Sequence, residues 1–314
     1  MERYDVIIIG GGPAGLTAGL YTSRAGLKSL LVERGALLGG QMVNATRVEN
    51  YPGFPEGIPG SDLGSLMHQQ AVRYDLEVVT AEVTGISEGR HYSVATTGGS
   101  FEAVVIIIAT GSEYRKLGVA GEERLSGRGV SYCATCDGFF FRKREVAVIG
   151  GGDTAITDAL ELSQHANKVH VIHRRDQLRA GKVLQQRAFT HPKLEFIWST
   201  VVEEALGEQI LSGLKLRNVK TCQQSVLKVD GVFVAVGLMP NSRSFSSILE
   251  LDGAGRIVAD ETMATLTPGI FAAGDIRRNS PRQIAAAVGD GVAAAMSAFK
   301  YIQEQGNGTG ITSP

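Results

Sequence analysis

The chain has 314 residues, enough for about two domains of ordinary size. Its 43% hydrophobic and 20% charged residues exclude a disordered chain, and its net charge of −1 gives no reason to expect a nucleic acid or a membrane as partner. Three cysteines are too few for a secreted disulfide scaffold, and no apolar run approaches the length of a membrane span. We therefore expect a soluble, cytoplasmic α/β protein in which the 40 glycines, nearly twice the ordinary share of roughly 7%, serve tight turns.

An internal repeat organises the chain. Residues 5–15 match residues 145–155 without a gap. Each copy begins with a run of apolar residues that is typical of a buried parallel strand, then passes through a glycine turn into a predicted helix over 16–25 or 156–165. A second apolar run follows in both copies. Because strand, turn, helix and strand occur twice, we predict two Rossmann-type units.

Two later apolar runs that end in glycine indicate where the chain passes between these units. Because possible hinges follow these runs, we predict that the second unit is inserted into the first. The first domain is then discontinuous over 1–113 and 244–314, and the second domain spans 114–243.

The last part of the chain carries three further predicted elements. A short strand is expected over 269–275 and a helix rich in small residues over 283–301. The polar, glycine-rich tail over 306–314 is expected to be disordered.

The first glycine turn has the pattern of a dinucleotide site. Gly10, Gly12 and Gly15 form G-x-G-x-x-G between a strand and a helix. In such a turn the first glycine permits the tight bend, the second lets the backbone approach a pyrophosphate, and the third lets the helix pack on the strand. Glu33 ends the next strand, where a carboxylate can accept hydrogen bonds from the ribose hydroxyls of an adenine nucleotide. The alternative for Glu33 is an ordinary surface carboxylate.

The second glycine turn differs from the first in the charge of its neighbours. It consists of Gly150, Gly152 and Ala155. In place of the carboxylate, the chain carries a basic group made up of His173, Arg174, Arg175 and Arg179. Planar guanidinium groups bind a phosphate through paired hydrogen bonds, whereas a carboxylate repels it. We therefore predict that the second unit prefers NADP(H), the alternative being a solvated basic surface.

Cys133 and Cys136 form a C-x-x-C pair that is followed directly by Asp137. A zinc ribbon needs a second cysteine pair, which Cys222 alone does not supply, so no metal site is predicted. Two thiols at this spacing suit a reversible intramolecular disulfide, although two buried structural cysteines would also fit. Asp137 is a candidate acid and base for these thiols, or else a helix N-cap or a solvent-exposed carboxylate. Cys222 has no predicted role.

Together these motifs resemble those of the low-molecular-weight, bacterial-type thioredoxin reductases over nearly the whole chain. The pieces that carry the resemblance are 10–15, 39–41 with 48–53, 133–138, 150–179, and 274–275 with 282–283. The position of the cysteine pair in the inserted domain, just before the second glycine turn, is the most specific of them. The resemblance implies FAD in the first domain and NADPH in the second.

The family pattern also implies which residues surround each cofactor. Around FAD it places Gly10, Gly12, Pro13, Ala14, Gly15, Glu33, Gly39, Gly40, Gln41, Asn50, Val83, Ala109, Thr110, Gly111, Gly274, Asp275, Arg282, Gln283 and Ile284. Around NADPH it places Gly150, Gly152, Asp153, Thr154, Ala155, His173, Arg174, Arg175, Arg179 and Gly237. Within the FAD set, Asp275 would bind a ribityl hydroxyl, and the helix that begins near Gln283 would direct its N-terminus towards the flavin.

The resemblance further implies a mechanism, in which electrons pass from NADPH through FAD and the Cys133–Cys136 disulfide to oxidised thioredoxin. In this assignment Cys136 exchanges electrons with the flavin, Cys133 attacks thioredoxin, and Asp137 protonates the leaving thiolate. A homodimer is expected from the family alone. Two alternatives share the fold. One is a flavin-dependent dithiol oxidase, which the arginine cluster disfavours. The other is a redox sensor, which the presence of all the residues of the implied electron-transfer mechanism disfavours.

Overall fold

The computed structural model describes residues 2–45 and 47–308, which form two compact units. The described part of the first unit consists of residues 2–45, 47–113 and 239–308, and the second unit consists of Tyr114–Leu238. The chain therefore leaves the first unit, builds the second, and returns to the first. No helix among the described residues is long and apolar enough to cross a membrane.

Strands and helices follow one another along both units. The strands are β1 (Glu2–Ile9), β2 (Ser29–Glu33), β3 (Glu77–Thr80), β4 (Val83–Ser87), β5 (Tyr92–Thr96), β6 (Gly99–Ile108), β7 (Ser112–Tyr114), β8 (Val130–Ser131), β9 (Glu145–Ile149), β10 (Lys168–Ile172), β11 (Leu194–Ile197), β12 (Thr200–Leu206), β13 (Gly213–Asn218), β14 (Gln224–Leu227), β15 (Gly231–Val234), β16 (Leu238–Pro240) and β17 (Ile270–Ala272). The α-helices are α1 (Pro13–Arg24), α2 (Gly60–Val72), α3 (Ala134–Asp137), α4 (Asp153–Leu162), α5 (Lys182–Phe189) and α6 (Ile284–Gly308). Short 3-10 helices lie at Gly40–Asn44, Gly138–Phe141, Arg243–Phe245 and Gly274–Ile276.

A seven-stranded sheet forms the centre of the first unit. Its order is β3-β2-β1-β6-β5-β4, with β17 also paired with β6. Strand β1 runs parallel to both neighbours, so that Ile8 lies opposite Leu31 and Ile107. Because side chains alternate along a strand, Ile8 packs with α1 and α6 on one face, whereas Ile7 packs on the other face near Phe245.

The second unit repeats this arrangement with a five-stranded parallel sheet in the order β11-β10-β9-β15-β8. Val148 of the central β9 lies opposite Val171 and Phe233. Helices α4 and α5 cover one face of the sheet, and the antiparallel strands β12, β13 and β14 cover the other. The prediction of an α/β fold with two Rossmann-like, three-layered units is confirmed.

The helices that follow the glycine turns begin earlier than predicted. Helix α1 begins at Pro13 rather than at residue 16, and α4 begins at Asp153 rather than at residue 156. The reason is that each glycine turn leads directly into the first helical turn, where proline fits because its missing N–H needs no partner. Helix α1 ends before Gly26, whose φ of +78° is typical of a glycine at a helix C-terminus.

The C-terminal part also differs in detail from the predicted elements. The strand expected over 269–275 is shorter, since β17 ends at Ala272 and a 3-10 helix begins at Gly274. Helix α6 continues to Gly308, so the expected tail begins inside a helix. The rest of that tail, 309–314, lies outside the described residues.

The second passage between the units lies at 238/239, earlier than the expected boundary at 243/244. Strand β16, which contains this passage, pairs with β7. Just beyond it, Asn241 donates its backbone N–H to the carbonyl of Gly111 at 3.0 Å and its side-chain N–H to the carbonyl of Thr110 at 2.9 Å. Residues after 238 therefore belong to the first unit, because their hydrogen-bond partners lie at the end of β6.

Candidate functional site

The first glycine turn is closed on its inner side and open on its outer side. Gly10 has a φ of +108°, and a Cβ placed on it would lie 2.5 Å from the carbonyl oxygen of Ala109. A Cβ on Gly15 would lie only 1.8 Å from the carbonyl oxygen of Gly10. On Gly12, by contrast, a Cβ would meet nothing closer than the Cα of Gly40 at 4.0 Å. The turn therefore offers the open N-terminus of α1, with its free N–H groups, to an anion.

Glu33 is held against this turn. The backbone N–H of Gly11 donates to one carboxylate oxygen at 2.6 Å, and the N–H of Gly35 donates to the other at 2.9 Å. The side chain is half-buried, so it does not behave as a freely solvated surface carboxylate. Because each carboxylate oxygen accepts more than one hydrogen bond, both oxygens keep capacity for a ligand hydroxyl.

The loop that contains Gly39 and Gly40 lies across the open side of the turn. The N–H of Gly39 donates to the carbonyl of Gly11 at 2.7 Å. The φ values of Gly39 and Gly40 are +120° and +59°, and a Cβ on Gly40 would lie 3.1 Å from the Cα of Gly12. Glycine is thus required here, because the two loops approach each other backbone to backbone.

Gln41 and Asn50 connect this region to more distant parts of the first unit. The side chain of Gln41 donates to the carbonyl of Ser112, at the start of β7. The side chain of Asn50 donates to that of Gln283 at 3.0 Å, immediately before the start of α6. Two of the predicted cofactor contacts therefore also position each other.

Asp275 is held by the residues that surround it. Its carbonyl accepts from the hydroxyl of Ser112 at 2.7 Å, and its carboxylate accepts from the hydroxyl of Ser280 at 2.8 Å. Burial raises the pKa of Asp275, while the Ser280 hydrogen bond and the charge of Arg282 oppose that shift. Arg282 itself has a φ of +58°, which is uncommon for a residue with a side chain.

The remaining residues predicted for the first site provide backbone rather than polar side chains. Ala109, Thr110 and Gly111 follow the end of β6, where Thr110 donates its hydroxyl to the carbonyl of Asn241 at 3.0 Å. Val83 has its side chain in the hydrophobic core of the first unit, so only its backbone is available to a ligand. Asn241 was not predicted, because its partners are more than a hundred residues away in the sequence.

The second glycine turn has the same construction as the first. Gly150 has a φ of +150°, and a Cβ on it would lie 2.5 Å from the carbonyl oxygen of Ala235. Ala155 takes the third position with its side chain fully buried against Gly150. Gly152 is open, with no atom within 4 Å of its Cβ position. Gly237, which follows β15, is open in the same sense and has a φ of +119°.

The segment after β10 folds back over this turn. The N–H groups of Arg179 and Ala180 donate to the carbonyl of Gly151 at 2.7 and 3.2 Å. The N–H of Gly181 donates to the carboxylate of Asp153 at 2.7 Å, which fixes the end of the segment to the start of α4.

The three arginines of this segment point into solvent. Arg174, Arg175 and Arg179 are all exposed, and none forms an ion pair with a carboxylate in the part of the chain that the structure describes. Three unpaired guanidinium groups near an open glycine turn form an arrangement suited to a phosphate.

His173 lies beneath the turn rather than among the exposed guanidinium groups. Its side chain is 4% exposed, and its Cε1 lies 2.5 Å from the position of a Cβ on Gly151. Burial lowers the pKa of His173, and the charges of Arg179 and Arg175 lower it further. His173 therefore contributes a neutral ring that packs against the turn.

Cys133 and Cys136 form a disulfide, as predicted. Cys133 is half-buried at the N-cap of the short helix α3, and its sulfur accepts a hydrogen bond from the backbone N–H of Cys136 at 3.2 Å. Cys136 is exposed. After reduction the same N–H would stabilise negative charge on the sulfur of Cys133, so this thiol is the better candidate for the reactive thiolate. Cys222 is exposed and unpaired.

Asp137 occupies the N-cap position of the 3-10 helix Gly138–Phe141, but its side chain makes no capping hydrogen bond there and is half-buried rather than freely solvated. Its carboxylate accepts from the hydroxyl of Ser131 at 2.6 Å, and the same hydroxyl oxygen accepts from the N–H of Cys133 at 3.1 Å. Burial raises the pKa of Asp137, and the Ser131 hydrogen bond opposes that shift. A carboxyl group that retains its proton to higher pH, next to a disulfide, is suited to proton transfer to a thiolate.

Comparisons with known proteins identify a family for this chain. The sequence matches the family model described as pyridine nucleotide-disulphide oxidoreductase over residues 4–291. It is 51% identical over 303 residues to the thioredoxin reductase of Listeria monocytogenes, covering 96% of this chain and 94% of that protein. The corresponding identity to the thioredoxin reductase of Bacillus subtilis is 46% over 303 residues, covering 96% of this chain and 95% of that protein.

A solved structure extends the agreement to the fold. The crystal structure of thioredoxin reductase from Streptococcus pyogenes superposes with a TM-score of 0.92 at 46% sequence identity, covering 96% of this chain and 99% of that one. The chain belongs to the thioredoxin reductase family. The resemblance inferred from the motifs is confirmed, and the protein is an oxidoreductase of this family.

Two features of this thioredoxin reductase family member were missed by reasoning from the sequence. One is Ser131, whose hydroxyl connects Cys133 with Asp137 and carries no signal in the sequence beyond its proximity to the cysteine pair. The other is the pair Phe139 and Phe140, which are 54% and 49% exposed directly after the disulfide. The run of three phenylalanines over 139–141, followed by Arg142, could have indicated an exposed apolar surface, since large apolar side chains are ordinarily buried.

Proposed function

We propose that this protein transfers electrons from NADPH, through FAD bound in the first unit, to the disulfide of a thioredoxin. The observation that carries the proposal is the Cys133–Cys136 disulfide beside the half-buried carboxyl group of Asp137, in the same unit as a glycine turn flanked by arginines. A dinucleotide turn and a disulfide within one unit fit the reduction of a disulfide substrate.

The first unit fits FAD. Its glycine turn is closed where helix and strand pack and open at Gly12, where a pyrophosphate would meet the N-terminus of α1. The carboxylate of Glu33 would accept the ribose hydroxyls, and that of Asp275 would accept a ribityl hydroxyl. When bound, FAD supplies a carrier that accepts two electrons from NADPH and returns them to a disulfide. The other predicted contacts of this site line the same loops and strand ends.

The second unit fits NADPH rather than NADH. Gly152 leaves space for the pyrophosphate at the N-terminus of α4. The exposed guanidinium groups of Arg174, Arg175 and Arg179 would bind the 2′-phosphate, because their segment is fixed to the glycine turn by the backbone hydrogen bonds of Arg179. His173 would support this segment from below as a neutral ring.

Once the disulfide is reduced, the two cysteines have different roles. The thiolate of Cys133 attacks the disulfide of thioredoxin, which forms a mixed disulfide and releases one thioredoxin thiolate. The thiolate of Cys136 then attacks the sulfur of Cys133, which restores the intramolecular disulfide and releases the second thioredoxin thiolate. The two electrons that leave with thioredoxin are those that NADPH supplied. Asp137, held by Ser131, is placed to carry the proton that the Cys133 thiolate gains when the disulfide opens.

The surface beside the disulfide favours a protein substrate over a small thiol. Phe139 and Phe140 expose their rings directly after α3, and Arg142 lies over the ring of Phe139 at 5.2 Å. A small-molecule dithiol needs no such surface, whereas aromatic and arginine side chains are enriched where proteins bind each other. We also propose that the protein acts as a cytoplasmic homodimer, on the strength of the family resemblance alone; sedimentation of the holoprotein tests the dimer.

One assay separates the proposed function from its alternatives. NADPH oxidation is followed with and without oxidised thioredoxin while oxygen consumption is recorded. We expect oxidation that depends on thioredoxin, is abolished by Cys136→Ser, and is retained by the control Cys222→Ser. Oxygen consumption that is stimulated by small dithiols but not by thioredoxin would instead identify a dithiol oxidase. NADPH binding without turnover on either substrate would identify a sensor.

A further inference from the structure

A buried ion pair in the first unit has no part in the function proposed above. Arg277 donates its Nε–H to Oδ2 of Asp290 at 2.6 Å and an Nη2–H to Oδ1 at 2.7 Å. The two side chains are only 15% and 9% exposed. Paired hydrogen bonds between a guanidinium and a carboxylate fix the relative orientation of the two groups as well as their distance.

Asp290 also holds the backbone that leads to Asp275. Its Oδ2 accepts the backbone N–H of Gly274 at 3.0 Å. Gly274 has a φ of +78°, and a Cβ placed on it would lie 3.0 Å from the Cβ of Ala14 in the first turn of α1. The carboxylate of Asp290 therefore fixes the peptide that joins the end of β17 to a predicted ligand of FAD.

The ion pair lies where helices α1 and α6 cross. Gly291, the residue after Asp290, approaches α1 so closely that a Cβ on it would lie 2.3 Å from the carbonyl oxygen of Ala14. Because α1 begins at the first glycine turn and α6 begins beside Gln283, the same crossing sets the position of both helix N-termini.

The loop between Gly274 and Ser280 is thus held from two sides. On one side Arg277 and Asp290 hold its start, and on the other the hydroxyl of Ser280 holds the carboxylate of Asp275. Burying two charges is costly, and a buried ion pair contributes little net stability compared with apolar residues of the same size. We therefore expect the ion pair to act on the geometry of this loop, through the direction of its hydrogen bonds, more than on the free energy of unfolding.

We propose that Arg277 and Asp290 are a positioning pair that sets the Gly274–Asp275 backbone for FAD. The proposal rests on the assignment of FAD to the first unit. Neither side chain needs to contact the cofactor, since both act through the N–H of Gly274 and through the crossing of the two helices.

The test uses purified protein from which FAD has been removed. Dissociation constants for FAD are measured from flavin fluorescence for wild type, Arg277→Met, Arg277→Lys and Asp290→Asn. The matched control is Arg278→Gln, the exposed neighbour of Arg277. We expect Arg277→Met to weaken FAD binding about 10-fold to 100-fold, as loss of a supporting contact does behind a metal ligand. Arg277→Lys, which keeps the charge but not the paired hydrogen bonds, should restore part of this loss, and Arg278→Gln should bind like wild type.

Two further readouts separate positioning from a general loss of stability. The visible absorption spectrum of the bound flavin should shift in Arg277→Met and move back in Arg277→Lys, and binding of NADP⁺ to the second unit should be unchanged. FAD affinity and spectrum equal to wild type in Arg277→Met would overturn the proposal. So would a loss of affinity that follows the melting temperature of the apoprotein with no change in the spectrum. If Arg277→Met does not fold, Asp290→Asn is judged by the same criteria. Wild-type protein that binds no FAD would instead overturn the assignment of FAD itself.

Discussion

At the scale of single residues, the proton chemistry of the disulfide depends on how Asp137 is surrounded. The side chain is partly buried, and among the residues that the structure describes its hydrogen-bonded side-chain partner is the hydroxyl of Ser131. One hydrogen bond opposes the effect of burial on the pKa of Asp137 but does not cancel it. Asp137 therefore holds its proton to a higher pH than an ordinary aspartate does. This suits it to protonate a thiolate of the neighbouring cysteine pair.

We expect Asp137→Asn to lower the rate of thioredoxin reduction by about 10²-fold to 10⁴-fold, the usual contribution of a general acid. The same variant should be at least as stable as wild type at pH 7. Because burial raises the pKa of Asp137 in the folded state, ionisation disfavours folding, and the neutral amide removes that penalty. The advantage should disappear as the pH falls below the pKa of an unfolded aspartate, about 3.9. Thermal melting across pH, together with steady-state rates, measures both effects.

The control for this variant is Ser131→Ala, which removes the hydrogen bond but keeps the carboxyl group. Since that bond lowers the pKa of Asp137, its loss should raise the pKa further and shift the pH dependence of the rate upwards. Full activity in Asp137→Asn would show that the proton comes from elsewhere.

The choice of nucleotide is also decided by individual residues. Arg174→Ala combined with Arg175→Ala should raise the KM for NADPH by about tenfold or more, because hydrogen bonds to charged groups contribute about 1.5–3 kcal/mol each. The KM for NADH, which has no 2′-phosphate, should be unchanged. Arg187→Ala, on the exposed side of α5, is the matched control. An unaltered KM for NADPH in the double variant would remove the arginines from the site.

At the scale of elements, the two glycine turns use one design twice. In each, the first position takes a positive φ beneath a neighbouring strand, the second is open, and the third packs the helix on the turn. Whether the third residue is glycine or alanine depends on the local contact: a Cβ on Gly15 would meet a carbonyl oxygen at 1.8 Å, whereas Ala155 is accommodated against Gly150.

The open surroundings of Gly12 and the close contact at Gly15 predict different outcomes for substitutions at these two positions of the first turn. Gly12→Ala should fold like wild type, because its φ of −76° suits any residue and its Cβ position is free. It should nevertheless weaken FAD binding by about tenfold or more, equivalent to about 1.4 kcal/mol, by obstructing the approach of the pyrophosphate. Gly15→Ala should lower the free energy of unfolding by about 1–3 kcal/mol, as overpacking does. Melting curves and FAD titration distinguish the two, and equal melting temperatures would refute the packing argument.

At the scale of the whole molecule, the chain builds two compact units, one of them from two separate stretches of sequence. Each unit has its own sheet, with parallel strands on both sides of β1 in the first and of β9 in the second, its own hydrophobic core and its own glycine turn. The disulfide and the arginine segment both belong to the second unit, whereas Glu33 and Asp275 belong to the first. The residues of the two predicted nucleotide sites therefore belong to different units.

We expect each nucleotide to protect only its own unit from amide hydrogen exchange. NADP⁺ at about 100 times its dissociation constant should stabilise the second unit by about 2.7 kcal/mol against opening, most visibly around Gly150–Gly152 and the arginine segment. Removal of FAD should deprotect the first turn and leave the second unchanged. Protection of the first turn by NADP⁺ would contradict this assignment of sites to units.

Local patterns alone determined the central features of this protein: the two glycine turns with their strands and helices, the C-x-x-C pair, and the exchange of Glu33 for a basic segment. They were predictable because a tight turn, a buried strand and a disulfide between neighbours depend on residues that are close in the sequence. Position along the repeat also indicated that the second unit interrupts the first.

The tertiary structure decided the features that join distant residues or depend on burial. It moved the second boundary to 238/239, because Asn241 bonds to the end of β6. It placed His173 beneath Gly151 rather than among the exposed arginines. It also brought Arg277 to Asp290 and connected Asp290 to Gly274. No local pattern encodes these contacts, because the burial of a side chain and the partner of a hydrogen bond are set only when separate elements pack together.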